Sequence, residues 1–443
     1  MSHVFPRHCA VTPPVAVRGE GCYLYDADGQ KYLDGSGGAA VSCLGHGDAD
    51  VIAAIQKQAQ DMAFAHTGYL SSKPAEKLAD LLVAHAPEGI ARVYFGAGGS
   101  EAVEAAIKLA RQYFVERGQP GRTRLIARRQ SYHGNTIGAL SAGGNVMRRE
   151  IYTPLLTDVS HIAPCYAYAL ADEGEDATAY GLRAAQELED EILRVGPDTV
   201  MAFMAETVVG ATLGAVTAAA GYFTRIREIC DRYGVLLILD EVMCGMGRTG
   251  HLFACEAEHV RPDILCIAKG LGGGYQPIGA MLCSQDIYDT IARGSGFFQH
   301  GHTYNAHPIA CAAALAVLRA ILDRDLLARV QTMGEKLGIA LNARLGQHAC
   351  VGDIRGRGLF VGIELVADRD TKRPFAREMA VAAKIKSSAF ENGLICYPVN
   401  GLRDGYSGDG ILLAPPFIIT DSAIDELVEK LARSVDKVTG SLA

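Results

Sequence analysis

The feature that most constrains the fold of this chain is an alternation of short apolar segments with longer amphipathic ones between residues 48 and 320. Segments 200–205 and 235–239 are almost continuously apolar, which is typical of strands buried on both faces of a sheet. Elsewhere, as in residues 101–117, apolar side chains recur at helical spacing. Strands that alternate with helices in this way predict an α/β fold with a mostly parallel central sheet.

The length of 443 residues suggests about two or three domains. We expect residues 1–47 to form an N-terminal segment, with a hairpin around the turn sequence DADGQ at residues 26–30. Residues 48–325 would form a large domain. Residues 326–443 would form a smaller α+β domain, which the N-terminal segment joins in space.

Composition excludes several classes of partner. The chain has 42 Lys and Arg residues against 50 Asp and Glu residues, a formal net charge of −8, and no basic cluster. This balance argues against nucleic acid or an anionic membrane as the principal partner. The best candidate for a membrane span, the uncharged residues 207–224, is interrupted by threonine and glycine, so we expect no span.

Cysteine usage indicates the compartment. The twelve cysteines are scattered without a CxxC pair. Several lie in apolar runs, where a free thiol behaves as a small hydrophobic group. The N-terminal residues also lack the pattern of a secretory signal. We therefore predict a reducing, cytoplasmic location.

An apolar strand ends in two carboxylates in the sequence LLILDE, residues 236–241. A Walker B magnesium site would need a P-loop, and the chain contains no Gly-Lys dipeptide, so that interpretation fails. The GxGxxG sequence at residues 245–250 precedes only a short helix, whereas a dinucleotide site needs a long one. Asp240 therefore remains a candidate with two interpretations. It lies at a ligand site, because open sheets bind ligands at the carboxyl ends of their strands, or it caps the following loop.

Lys269 follows another buried strand directly and has glycines behind it. A surface lysine at a strand end would explain it. A partly desolvated lysine would instead have a depressed pKa and a nucleophilic amine, as Schiff-base enzymes require. The sequence alone leaves both interpretations open.

Two further segments suggest ligand contacts. Gly99 and Ser100 lie where a helix begins, which suits a phosphate group, although Ser100 could be a simple N-cap. Tyr132 and His133 stand beside a glycine turn and could enclose a flat ring, or could be core residues. The sequence HGHTYNAHP at residues 300–308 hints at zinc, but its lack of neighbouring carboxylates argues against a metal site.

Taken in order, these segments resemble the class III (ω-amino-acid, amine:pyruvate type) aminotransferases, which depend on pyridoxal 5′-phosphate (PLP). The resemblance runs from about residue 25 to the C-terminal helix. It is carried by the sequences YLDGSGGAAV, LGHGDADV, GGSEAVEAAIKLAR, YHGNT, LLILDEVMCGMGRTG, IAKGLGGGYQPIGA, HTYNAHP, IRGRGLFVGIEL and GDGILLAPPF. It implies the PLP-dependent transferase architecture of fold type I and a homodimer, which could pair further into a tetramer.

The resemblance also implies roles for individual residues. Lys269 would bind PLP covalently and act as the catalytic residue, and Asp240 would keep the pyridine nitrogen protonated. Other residues would contact the cofactor: Gly99 and Ser100 its phosphate, Val242 and Tyr132 the two faces of its ring with His133 close by, Glu206 the region of the ring hydroxyl or an arginine, and Thr303 the phosphate of the neighbouring subunit.

Four positions depart from the family pattern. Thr207 stands where Pro is common, Met243 where Gln is frequent, and Gly98 where the family has Ser or Thr. Arg403 is the candidate for a substrate-carboxylate clamp, but its spacing to the following Gly-Asp is stretched, and a solvated loop arginine is the alternative. These departures concern the substrate rather than the core chemistry.

The resemblance predicts a ping-pong transamination from a primary amine or ω-amino acid to a keto acid, with pyruvate as the expected acceptor and no metal ion. An aminomutase, epimerase or decarboxylase could use the same scaffold. A PLP-fold protein without catalytic activity and a redox enzyme are weaker alternatives.

Overall fold

A seven-stranded sheet forms the centre of the molecule. The computed structural model describes residues 3–441. Numbered along the chain, the strands are β1 (Ala16–Glu20), β2 (Tyr23–Asp26), β3 (Lys31–Asp34), β4 (Ile90–Gly96), β5 (Arg124–Arg128), β6 (Ser160–Ile162), β7 (Val200–Glu206), β8 (Val208–Val209), β9 (Val216–Thr217), β10 (Leu236–Asp240), β11 (Ile264–Ile267), β12 (Gly279–Ser284), β13 (Val351–Arg357), β14 (Phe360–Leu365), β15 (Leu394–Ile395), β16 (Tyr397–Asn400) and β17 (Asp409–Leu413).

Helices lie between most of these strands. They are α1 (Gly37–Ala40), α2 (Ala49–Asp61), α3 (Lys73–Ala84), α4 (Gly99–Glu116), α5 (Ile137–Ala142), α6 (Val146–Arg149), α7 (Ala167–Leu170), α8 (Ala177–Val195), α9 (Tyr222–Tyr233), α10 (Gln285–Arg293), α11 (Pro308–Asp323), α12 (Leu326–Leu345), α13 (Val381–Glu391) and α14 (Asp421–Gly440).

The central sheet has the strand order β4-β12-β11-β10-β7-β5-β6. Strand β12 runs antiparallel to both of its neighbours, and the other pairs are parallel. The predicted mostly parallel sheet is therefore confirmed. Alternate residues of one strand pack into different cores: Leu237 and Leu239 lie with the helices on one face, and Leu236 and Ile238 pack with α4 on the other. Burial on both faces explains why these strands are apolar throughout.

Two smaller sheets use the ends of the chain. Strands β13, β14, β17 and β16 form an antiparallel sheet. Strands β2 and β3 form the predicted hairpin, and β3 pairs in parallel with β15, far along the chain. This pairing agrees with an N-terminal segment that joins the C-terminal part. The boundaries at residues 47 and 325 stay a prediction.

Two segments that the sequence singled out are short irregular structures. Residues 207–224 contain the two-residue strands β8 and β9 and the start of α9. Within residues 3–441, no helix combines the length and the apolar character that crossing a membrane requires. Residues 245–250 form turns, and Arg248 is buried there with hydrogen bonds to backbone carbonyls of the C-terminal part. The GxGxxG sequence therefore opens no long helix.

Candidate active site

The site lies at the carboxyl ends of the central strands, where β7 and β10 each finish in an acidic residue. Their parallel register pairs Glu206 with Asp240, and both side chains are buried. Burial raises the pKa of Glu206, and the negative charge of Asp240 adds to this rise, whereas the neighbouring His133 opposes it. Two carboxylates are therefore held side by side in a place where water reaches neither freely.

Asp240 is fixed through both of its carboxylate oxygens. Nδ1 of His133 lies 2.7 Å from Oδ2, and the backbone N–H of Val242 donates to Oδ1 at 2.9 Å. The imidazole is wholly buried, and its Nε2 has no partner within residues 3–441. His133 therefore fixes the orientation of the Asp240 carboxylate.

Glu206 binds the backbone of two neighbouring segments. Its Oε1 accepts a hydrogen bond from the N–H of Tyr132 at 2.6 Å, and its Oε2 accepts one from the N–H of Gly210 at 3.1 Å. These bonds satisfy a buried carboxylate. They also hold Tyr132 beside the cavity.

Lys269 follows β11 in a strained conformation. Its φ is +45°, in the left-handed region that side chains other than glycine rarely adopt. The N–H groups of Gly272 and Gly273 both donate to its carbonyl, which holds this turn. Burial lowers the pKa of the amine, although the negative charges of Asp240 and Glu206 oppose the effect. A lowered pKa favours the neutral form of the amine, which is the nucleophilic one.

These side chains share one cavity of about 500 Å³. It is lined by Lys269, Asp240, Glu206, Tyr132, His133, Val242, Ser100 and residues 97–99, together with Val41, Gly134, Val208, Gly210, Ala211, Met243, Ala268, Gly274 and residues 276–278. All predicted site residues except Thr303 and Arg403 therefore meet at one place. Among residues 3–441, no cluster of His, Cys, Asp or Glu could hold a metal ion.

The N-terminus of α4 opens into this cavity. The backbone N–H groups of Gly98, Gly99 and Ser100 donate to no acceptor in the described part of the chain. A Cβ on Gly99 would lie 2.6 Å from Cγ1 of Val242, so only glycine lets Val242 approach. The hydroxyl oxygen of Ser100 accepts from the N–H of Asn135 at 3.1 Å and keeps its own proton available. Free N–H groups at a long helix's N-terminus suit a phosphate.

A third buried carboxylate, Glu241, was noted in the sequence LLILDE but was given no role there. It is fully buried and accepts hydrogen bonds from the Thr207 hydroxyl at 2.9 Å and from the N–H groups of Ala254 and Cys255 at 2.6 and 2.7 Å. Burial raises the pKa of Glu241 to about 7. Thr207, noted in the sequence only as a departure, therefore helps to hold the segment that follows Asp240 and carries Val242.

Thr303 and Arg403 lie outside the cavity of the single chain. Thr303 is exposed. Arg403 is mostly buried and ion-paired, with its Nη2 3.1 Å from Oε1 of Glu364 and 3.1 Å from the carbonyl of Lys372. It is therefore not a solvated loop residue in this conformation, and its role as a clamp stays a prediction. Sequence reasoning also missed Arg148, whose guanidinium carbon lies 4.7 Å from the ring centroid of Tyr132.

Comparison with known proteins gives consistent results. The family model for class-III aminotransferases matches residues 4–435. An uncharacterized aminotransferase of Schizosaccharomyces pombe is 49% identical over 97% of this chain and 94% of its own. A taurine–pyruvate aminotransferase of Bilophila wadsworthia is 35% identical over 98% of this chain and 95% of its own. The solved structure of the omega transaminase of Pseudomonas jessenii in complex with PMP superposes with a TM-score of 0.93. It is 31% identical in sequence, and the match covers 99% of this chain and 97% of that one.

The buried Glu241 predicts a pH dependence of stability. Its folded-state pKa of about 7 lies above its ordinary value of 4.5, so the folded protein binds more protons than the unfolded chain between these values. Stability should therefore fall as pH rises through this window, by up to about 3 kcal/mol for this group. Urea unfolding of the parent and of Glu241→Gln from pH 5 to 7.5 measures the effect.

We expect the stability difference between the parent and Glu241→Gln to shrink across this range, because only the parent has a carboxyl group at position 241 that can ionise. Glu335→Gln serves as the control, since Glu335 is exposed and makes no ion pair within the described residues. A difference between the parent and Glu241→Gln that stays constant with pH would contradict the interpretation.

Proposed function

The chain belongs to the class-III aminotransferases, and on that basis we propose that it transfers the amino group of a primary amine or ω-amino acid to a keto acid, with pyruvate as acceptor. The observation that carries the proposal is the meeting of Lys269, the Asp240–His133 pair and the free N–H groups of α4 in one cavity. An amine, a buried carboxylate and a phosphate-binding helix end are the parts that transamination needs.

The residues of the cavity fit PLP as the cofactor. The N-terminus of α4, with Gly99 and Ser100, would hold the phosphate. Tyr132 and Val242 would pack against the flat ring, and Asp240 would face its nitrogen, while Glu206 would lie near its hydroxyl. When bound, PLP supplies an electron-withdrawing ring that stabilises negative charge on the substrate carbon beside the amino group.

Lys269 would perform the proton transfer. Its Nζ would hold the cofactor before substrate binds. As a free amine, Nζ would accept the proton from the substrate carbon that carries the amino group and hold it for return to the substrate. Its lowered pKa, caused first by burial, keeps a fraction of the amine neutral and able to accept that proton.

Asp240 and His133 would act together on the ring nitrogen. A carboxylate there favours the protonated nitrogen, which increases the electron-withdrawing character of the ring. The 2.7 Å contact with Nδ1 of His133 fixes the direction of the carboxylate. His133 is thus a positioning residue for Asp240.

A ping-pong order is supported by the position of Lys269 in the cavity, because donor and acceptor would react there with the same atoms and would therefore bind in turn. Pyruvate as the acceptor is supported by the similarity to the taurine–pyruvate aminotransferase of Bilophila wadsworthia.

A homodimer agrees with the exposure of Thr303, which would reach the phosphate site of the partner subunit. A cytoplasmic location is supported by the scattered cysteines, all free among residues 3–441.

Replacement of Lys269 tests the central role. Lys269→Ala should lose turnover with amine and pyruvate by at least about a thousandfold while the fold is retained, because no other amine can relay the proton. The parent with bound PLP should absorb in the violet, and this band should shift when a primary amine is added without keto acid. Lys57→Ala, which removes an exposed lysine, is the control. Parental turnover in Lys269→Ala, or no net amino transfer to pyruvate by the parent, would refute the proposal.

Replacement of Gly99 tests the cofactor cradle. In Gly99→Ala the new Cβ meets Val242 at 2.6 Å, so either the valine or the helix end must move. We expect PLP to bind about tenfold more weakly, as measured by fluorescence titration of the apoprotein. Gly338→Ala is the control, because its Cβ in α12 meets no atom within 4 Å. Equal PLP affinities in the two variants would show that Gly99 does not shape the cradle.

A further inference from the structure

Arg148 lies beside the cavity but takes no part in the mechanism above. Its guanidinium carbon is 4.7 Å from the ring centroid of Tyr132, which lines the cavity. A guanidinium that stacks on an aromatic ring keeps its five N–H groups available around its edge. Arg148 can therefore bind an anion without leaving the tyrosine.

The backbone holds Arg148 in this place. Asn145 caps α6 by accepting a hydrogen bond from the N–H of Arg148 at 3.2 Å. Just before this cap, Gly144 exchanges backbone hydrogen bonds with Gln130 and Ser131, at 3.2 and 3.1 Å. Since Ser131 directly precedes Tyr132, the arginine and the tyrosine belong to two segments that are bonded together.

Arg148 is only partly buried. Among residues 3–441 it makes no ion pair, and its guanidinium donates to no acceptor. Arg403 differs, because it is 17% exposed and pairs with Glu364. Arg148 thus stacks on Tyr132 and has donors free for a ligand.

Among the described residues that line the cavity, Lys269 is the only lysine or arginine. Of the charged residues that line it, Asp240 and Glu206 are acidic and Lys269 is needed for the chemistry. The charge of Arg148 also reaches Lys269: the pKa of that amine is lowered mainly by burial, and Arg148 adds to the lowering. A negatively charged group placed between the two would be attracted by both.

We propose that Arg148 binds the carboxylate of the substrate at the mouth of the cavity. The enzyme therefore prefers ω-amino acids to amines without an acidic group as donors, and it takes keto acids, which also carry a carboxylate, as acceptors. This inference rests on the proposed transamination. Arg148 sets the substrate class, whereas Lys269 and Asp240 set the reaction.

The test compares two donors that differ only in a carboxylate, 4-aminobutanoate and 1-aminobutane. Rate constants for the half-reaction of each donor with the PLP-bound enzyme are measured from the absorbance change, and their ratio is the specificity for the carboxylate. In Arg148→Met the ratio should fall about ten- to a hundredfold, the range for a hydrogen bond to a charged group. In Arg148→Lys, which retains the charge, the ratio should fall less. The ratio cancels any general weakening of the cofactor site.

The matched control is Arg92→Met, which removes an exposed arginine stacked 4.3 Å from the ring of Tyr288, outside the cavity. Its ratio should equal that of the parent. A ratio in Arg148→Met equal to that of the parent would overturn the inference. If the ratio fell in Arg403→Met instead, Arg403 would be the residue that binds the carboxylate.

A binding measurement separates this inference from the proposed function. Butanoate, which carries a carboxylate but no amine, should bind the PLP-bound parent more tightly than Arg148→Met in calorimetric titration, by the same factor of about ten or more. This result would support Arg148 even if neither donor reacted. Equal butanoate affinities would overturn the role of Arg148 even if transamination were established.

Discussion

The parallel pairing of β7 with β10 is the constraint on which the rest of the site depends. It places Glu206 level with Asp240, and one residue further on it brings the Thr207 hydroxyl to Glu241 at 2.9 Å. The first pair faces the cavity, and the second holds the segment that carries Val242. A shift of one residue in this register would separate both pairs and turn the acidic side chains toward the apolar cores. The apolar strands therefore position the chemistry as well as stabilise the fold.

The site retains groups that folding alone would disfavour. Two buried carboxylates and a desolvated amine cost free energy unless each finds partners. Glu206 has two backbone donors, and Asp240 has the imidazole of His133 and the N–H of Val242. Even so, burial raises the pKa of Glu206 and lowers that of Lys269, which also has a strained φ of +45°. Opposite pKa shifts and strain in one cavity are typical of a catalytic site.

The sequence predicted those parts of the structure that depend on local pattern. The central sheet, the hairpin of β2 and β3, and helix α4 follow from periodicity and turn residues, and the structure has them. The predicted meeting of residues from β7, β10, β11 and α4 relied on the resemblance to the class III aminotransferases. Only for Asp240 did the sequence itself indicate a ligand site, because open sheets bind ligands at the carboxyl ends of their strands. Glu241 and Arg148 escaped prediction because their significance depends on contacts distant in sequence: Glu241 with Thr207, and Arg148 with Tyr132. A single sequence shows neither contact.

The two classes of residue also differ in what supports them. Asp240 and Glu206 stand at the ends of buried strands, so substituting a neighbour in the sheet would disturb the fold before it changed the reaction. Arg148 stands on a short helix near the surface, where it can be replaced with little effect on the sheets, whereas Arg403 pairs with the buried Glu364 of β14. Reaction type is therefore constrained by the core, whereas substrate preference can change independently. The search for the residue that selects the substrate is therefore directed to Arg148, whose guanidinium stacks on Tyr132 and donates to no acceptor among residues 3–441.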